Sequence, residues 1–443
     1  MTSSHPRPVP CQWFSYLAAV IDRRTAPRLA LLFLGAVLAR GRRTVTSWIR
    51  AAKLGDEFRS CYTAVAAAGK EADGIAARLV IAALKPLVAG TQRLTLALDD
   101  TPTPRYGRHV QGAGVHHNPT PGPAGSPHVY GHVFVVLGLL ANHPAWGVVA
   151  LPLLSRLYIR AKDLPAIDPR HRPAFRTKLV LAVELLRWAK LWLGLAGKPL
   201  WVVADGAYAK ADFLKPAQAL GVTVVSRLRK DSALCTVPGP RPPGRRGRPR
   251  LYGEHRMDLA KRAGQRRGWS TGEFDLYGEK TVKRYKTFLA TWRPAGGAIR
   301  VVLVDEASGW RAFFCTDVSA SVADILGAVA GRFSLEIAFR DCKEIVGAGQ
   351  QQVRFLWANV GAFHICLWTF TMTEAWAWGR ETEELVDRSQ SPWDSPLRRP
   401  SHADKRRAWR RELLGDEIRA ALRPGLTERE IHAAAERLLN LAA

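Results

Sequence analysis

Cysteine is sparse and scattered in this chain. The six cysteines (Cys11, Cys61, Cys235, Cys315, Cys342 and Cys366) contain no pair at zinc-ligand spacing. That pattern excludes a disulfide framework and points to a reducing cytoplasm. Long uninterrupted apolar runs are also lacking. Residues 27–39 (PRLALLFLGAVLA) are too short to span a bilayer, contain Arg28, and are followed by Arg40, Arg42 and Arg43. A signal peptide would place small residues there, so a buried helix is expected. Residues 355–379 are long enough to span, but they carry Asn359, His364, three threonines and Glu374, which predicts a core helix. No membrane partner is expected. Acidic residues are few: 38 Asp+Glu stand against 65 Lys+Arg, giving a net charge of +27 and a pI near 10.5. The surplus is spread along the chain, so nucleic acid is the first partner to consider. No internal repeat is present, which excludes a solenoid.

What is present is a globular composition, 47% hydrophobic over 443 residues, enough for a large core. Residues 1–90 read as a helical N-terminal region. Within it, residues 42–54 have a basic start and an apolar face through Val45, Trp48, Ile49 and Ala52, a pattern suited to DNA contact. At Leu94 the period changes to that of a strand, Leu94–Leu98, running into Asp99 and Asp100. Residues 107–127 read as a Gly/Pro/His loop. Strands are expected at 129–140 and 146–159, a helix at 175–195, a strand at 200–204 ending at Asp205, a helix to about Leu220, and a strand at 222–226. This order describes an α/β sheet over residues 91–227. Residues 228–317 interrupt it as an inserted β-rich subdomain. Helices resume over 318–380, and 381–443 form a C-terminal helical tail.

Three carboxylates stand at positions that suit chemistry. Asp99 and Asp205 end strands, where open sheets of this class place their ligands. Glu336 sits in the helical stretch 331–343 (GRFSLEIAFRDCK). Arg332 lies four residues before Glu336, and Lys343 seven after it, so the three are expected to stack on one helix face. Converging carboxylates suit two Mg²⁺ ions, which take oxygen ligands and share phosphate oxygens. Such a pair promotes in-line displacement at phosphorus. Alone, the Arg332/Glu336/Lys343 set also fits a salt-bridged surface.

The local sequences narrow this. Asp99-Asp100-Thr101, Asp205-Gly206-Ala207-Tyr208 and Arg332-x3-Glu336-x6-Lys343 resemble, in order, the three catalytic motifs of DDE transposases from bacterial insertion sequences. The likeness is closest to the IS-four-like group and its DDE-superfamily-endonuclease relatives, and it spans about residues 40–380. The stretch 99–131 also looks like that group's first catalytic segment. The resemblance implies a ribonuclease-H-like mixed sheet with flanking helices and a β-rich insertion between Asp205 and Glu336. It implies cleavage of transposon ends and transfer of the freed 3′-hydroxyl into target DNA. Mg²⁺ would be the cofactor, with Mn²⁺ able to substitute. By position, Asp99, Asp205 and Glu336 would be the catalytic metal ligands, and Arg332 and Lys343 would contact DNA. Asp100 is a rival first ligand; Asp99 is preferred because the family pattern leaves one residue between the Asp and the Thr. One departure is Val329, where the family signature often has Tyr. The implied partners are double-stranded DNA at the transposon ends and target, and a second copy of the chain in a homodimer. The implied location is the nucleoid.

Other features carry weaker signals. Arg246-Gly247-Arg248-Pro249-Arg250 resembles an AT-hook core, whose arginines lie in a narrow A·T-rich minor groove; a basic loop with sequence-blind phosphate contacts is the alternative. Among Trp269, Tyr277, Tyr285 and Trp292, one aromatic could stack on a base unpaired at a DNA end, though β-core packing accounts for most of them. His109, His116, His117, His128 and His132 lack convincing zinc spacing and are expected in a solvated or DNA-facing loop. Two rival readings remain: a catalytically silent or domesticated DNA-binding protein, and a related endonuclease without strand transfer.

Overall fold

The computed structural model describes residues 11–118, 125–241, 247–389, 391–421, 425 and 427–442. Helices α1 (Gln12–Ala18), α2 (Ala26–Leu38), α3 (Val45–Ala51), α4 (Phe58–Lys70) and α5 (Ala72–Leu79) precede the sheet. Every residue of α2 from Leu29 to Leu38 is buried, so the apolar run is a core helix, as its length and flanks suggest. Thr44 caps α3 by accepting from the Ser47 amide, and Val45, Trp48 and Ile49 face inward.

The sheet is built on β1 (Leu94–Pro104), with β2 (Gly114–His117), β3 (His128–His143) and β4 (Gly147–Tyr158) following it. β1 pairs antiparallel with β3, and β3 with both β2 and β4. Helix α6 (Lys178–Trp192), capped by Thr177, leads to β5 (Leu200–Ala204). Helix α7 (Ala211–Ala219) leads to β6 (Val222–Leu228). β5 lies parallel to β1 on one side and to β6 on the other. Two parallel crossovers joined to an antiparallel meander form the ribonuclease-H-like mixed sheet, flanked by helices.

The β-rich insertion contains β7 (Leu234–Cys235), β8 (Arg256–Met257), α8 (Leu259–Gly264), β9 (Ser270–Leu276), β10 (Glu279–Trp292), β11 (Gly297–Asp305) and β12 (Arg311–Cys315). Its strands continue the central sheet: β12 pairs antiparallel with β6, giving the strand order β2-β3-β1-β5-β6-β12-β11-β10-β7-β8.

After β12 the chain enters α9 (Val322–Asp341), whose first turn is capped by Ser321. It ends in a π-helical turn, Cys342–Val346, closed by Gly347 at φ +91°. Helix α10 (Leu356–Ala377) is buried almost throughout. It crosses α4 at Gly69 and Gly361, where a Cβ on either residue would overlap a carbonyl oxygen of the other helix. The two glycines permit this approach. α11 (Thr382–Leu385), α12 (His402–Ala421) and α13 (Glu428–Ala442) complete the described chain. No described helix is long and apolar enough to cross a membrane. One continuous apolar core joins Phe14, Trp48, Leu96, Val202, Phe314 and Trp368, so the N-terminal helices, sheet, insertion and α10 share an interior.

Candidate active site

The parallel pairing of β1 and β5 places two carboxylates side by side. Leu98 and Ala204 are register partners, and Asp99 and Asp205 directly follow them in the chain. Asp205 leaves the strand as the cap of a short 3₁₀ turn, Gly206–Tyr208, accepting from the Ala207 amide at 3.1 Å. Asp99 is mostly buried, and Asp100's amide donates to its Oδ1 at 2.8 Å. Burial pushes the Asp99 carboxyl up to about 6, Arg332 pulls against that, and the negative charges of Asp100 and Asp205 add to the rise.

Helix α9 supplies the third carboxylate. Leu335, Ala338 and Phe339 pin it to the core, leaving Glu336 half-exposed. Arg332, one turn earlier, reaches both groups: its Nη1 donates to Asp99 Oδ2 at 2.5 Å and its Nη2 to Glu336 Oε1 at 2.8 Å. Thus Asp99 and Glu336 flank one guanidinium. Among the described residues no three His, Cys, Asp or Glu side chains are grouped closely enough to hold a metal ion. The donor chemistry of Asp99, Asp205 and Glu336 suits a hard dication, being oxygen throughout. The positive charge between Asp99 and Glu336 here is Arg332.

Strand alternation sends Asp100 to the other face. There Lys178 Nζ donates to its Oδ2 at 2.6 Å and the Tyr208 hydroxyl to its Oδ1 at 3.2 Å. Tyr208 is buried, and burial followed by the charges of Asp100 and Asp99 holds its phenol well above the ordinary value. The sequence reading did not anticipate Lys178, whose signal is only its position in the first turn of α6.

Lys343 lies beyond the α-helical part of the stretch expected at 331–343. The α-helix ends at Asp341, and Lys343 lies in the π turn, where the wider i→i+5 repeat shifts each side chain. It is half-buried, and burial lowers its ammonium pKa.

In the insertion, Arg248 and Arg250 line a broad open cavity of about 810 Å³ together with Arg241, Tyr252 and His255. Arg250 is ion-paired with Glu254. Arg246 lies outside the described residues. Of the four aromatics, Trp292 is core, packed on Phe314, Tyr285 packs on Phe274, and Trp269 is covered by Arg284 and Lys286. Tyr277 differs. It turns the β9–β10 hairpin at φ +59°, is 71% exposed, and meets Phe333 of α9 edge-on at 6.1 Å. Phe333 is the neighbour of Arg332, so the hairpin tip touches the site's own helix.

Two of the five histidines correct the expectation, and residues 119–124 of that stretch lie outside the described residues. His116 and His132 are buried in strands β2 and β3, not solvated. Burial, then the neighbouring Arg105, drives His132 down to about 3, and its ring is bonded to Arg105 and the Gln111 carbonyl.

The profile of a family described as "DDE superfamily endonuclease" matches residues 16–327. The match takes in Asp99 and Asp205 and ends ahead of Arg332 and Glu336. No curated protein matches the chain.

Proposed function

Because the chain belongs to the DDE superfamily endonuclease family, we propose that it is a DNA transposase of a bacterial insertion sequence in the IS-four-like group. It binds the terminal repeats of its element, cleaves the ends, and transfers the 3′-hydroxyl into target DNA. The observation that carries this reading is the juxtaposition of Asp99 and Asp205 on adjacent parallel strands, with Glu336 tied to Asp99 through Arg332.

Asp99, Asp205 and Glu336 are the proposed catalytic ligands. Mg²⁺ held by them, or Mn²⁺ in its place, supplies Lewis acidity for in-line phosphoryl transfer. The remaining roles belong to the chain. Arg332 exchanges its two carboxylates for a DNA phosphate, which a guanidinium fork grips in the same bidentate manner. Lys343, half-buried beyond the helix end, adds a second positive charge to the backbone path. Tyr277 and Phe333 offer exposed rings for stacking beside the reacting strand. Arg248 and Arg250 border the open basic cavity where duplex DNA lies, and the +27 net charge supplies sequence-blind attraction. The working assembly is a homodimer on paired ends, associated with the nucleoid in the cytoplasm.

The test is cleavage of a labelled donor end by the full chain with Asp99, Asp205 or Glu336 changed singly to alanine. Each variant is expected to bind DNA and fail to cut. Retained cutting in all three overturns the assignment. One observation favours a second reading, a catalytically silent DNA-binding protein: the carboxylates are bridged by arginine and not gathered as a metal cage. That reading predicts binding without cutting in the unsubstituted chain, whereas an endonuclease without strand transfer cuts and leaves no joined product.

A further inference from the structure

Three arginines from distant parts of the sequence converge near the end of β1 remote from β5. Arg105 follows the last residue of β1 and is 5% exposed; Arg406, on α12, is 8% exposed; Arg43, just before α3, is half-buried. None of the three is ion-paired with a carboxylate among the described residues. Their hydrogen bonds go to neutral groups. Arg105 donates to His132 and to the carbonyls of Gly349 and Gln351. Arg406 donates to the carbonyls of Ala36 and Ala39, and Arg43 to that of Gly41. Each keeps one buried nitrogen with no partner: Arg43 Nε, Arg105 Nη2 and Arg406 Nε.

Gln351 and Cys366 hold the group together. The Gln351 amide donates to the Arg43 carbonyl at 2.9 Å and to Cys366 Sγ at 3.3 Å, while its main-chain carbonyl accepts from Arg105. All three guanidiniums act electrostatically on the Cys366 thiol, and Arg43 and Arg406 repel each other. The thiol does not supply the missing negative charge, because burial pushes it up to about 12. Burial lowers Arg105 to about 10 and Arg406 to about 9, so both stay cationic at neutral pH.

Buried charges in proteins are paired, because desolvating an unpaired ion is costly. Here three cations share a partly buried region with spare N–H donors and no anion. We propose that Arg43, Arg105 and Arg406 form an oxyanion site that takes a phosphate group, either as the free ion or from a DNA backbone. Guanidinium forks match the oxygens of such a group. The site is separate from the carboxylates and does not depend on the transposase reading. An occupant would join the N-terminal helices, the sheet and α12 through one anion, so binding would stabilise the whole fold.

The test uses the full chain in thermal unfolding, with inorganic phosphate titrated against sodium gluconate at matched ionic strength. Phosphate is expected to raise the wild-type Tm with a saturable dependence. The rise should disappear in Arg406→Gln and Arg43→Gln. An equal rise in the folded variants assigns phosphate to the general basic surface and overturns the proposal, as does no rise in the wild type. Should Arg406→Gln fail to fold by circular dichroism, Arg43→Gln, whose side chain is only half-buried, decides alone. A labelled duplex separates the sources. Competition by phosphate together with weaker duplex binding in Arg43→Gln identifies a backbone phosphate. Unchanged duplex affinity with a lost Tm rise identifies the free ion.

Discussion

Arg332 donates to Asp99 Oδ2 at 2.5 Å while its second terminal nitrogen holds Glu336. A dication and this guanidinium compete for the same two carboxylates. Each charge-assisted bond contributes about 1.5–3 kcal/mol, so removing the competitor should tighten metal binding by the free chain about tenfold or more. Arg332→Ala is therefore expected to bind Mn²⁺ without DNA at concentrations where the wild type does not, as read by electron paramagnetic resonance. Equal affinities would show that the bridge does not restrain the carboxylates. The same variant should cut DNA ends poorly, since it lacks the phosphate grip.

Asp99 has a second consequence through its proton. Its carboxyl lies at about 6 in the fold against an ordinary 3.8. Between these values the folded chain keeps a proton that the unfolded chain has lost. Stability therefore falls as pH rises from about 4 to 6, then levels, with a total of ~3 kcal/mol. Asp99→Asn removes this dependence. In urea unfolding, the variant's advantage over the wild type should grow from pH 4 to pH 7 and stay constant above. A gap independent of pH would place the ionisation elsewhere.

Asp100 is expected to behave differently from its neighbour. Lys178 and Tyr208 occupy its two oxygens, and Tyr208 is buried. Asp100→Ala leaves a buried phenol without an acceptor and should cost about 1–3 kcal/mol. End cleavage should survive at a temperature where the variant is folded, whereas Asp99→Ala should abolish it. A double-mutant cycle with Lys178→Met should show coupling, because the two side chains touch. Additive losses would contradict the contact.

The sequence exposed the elements whose signals are local. The alternation of Leu94, Leu96 and Leu98 and the apolar run 200–204 marked the two strands that carry Asp99 and Asp205, and Arg332 and Glu336 showed their one-turn spacing. Non-local facts were hidden. β1 runs on past the expected Leu94–Leu98 to Pro104, because β3 pairs with it across that stretch. The insertion joins the central sheet through Phe314 opposite Ser226, a pairing between distant segments with no local signature. The Arg332–Glu336 pair was visible as a helical spacing, but its link to Asp99 required the packing of α9 over β1. The α-helical spacing read from Glu336 to Lys343 ends at Asp341, and the π turn that follows has no local signature in the sequence.

A buried charge cluster ties α12 to α10. Glu374 on α10 is buried, with Lys405 Nζ at 2.5 Å and His402 Nδ1 at 2.7 Å. Burial alone would raise its carboxyl, but Lys405 and then His402 bring it down to about 2 from an ordinary 4.5. A depressed carboxyl stabilises the fold above its unfolded value and loses that contribution as pH falls from about 4.5 toward 2. Lys405→Met strands the carboxylate and should cost about 3–5 kcal/mol at pH 7. The deficit should shrink at pH 3, where the stranded group takes up a proton. Replacing both partners, Glu374→Leu with Lys405→Met, should recover much of the loss, since apolar side chains of similar size carry no desolvation cost. Urea unfolding of the wild type and the two variants at pH 7 and pH 3 checks this. A deficit of equal size at both pH values would mean that the lysine acts through its packing on Trp146, whose ring centroid lies 3.6 Å from its ammonium, and not through the carboxylate.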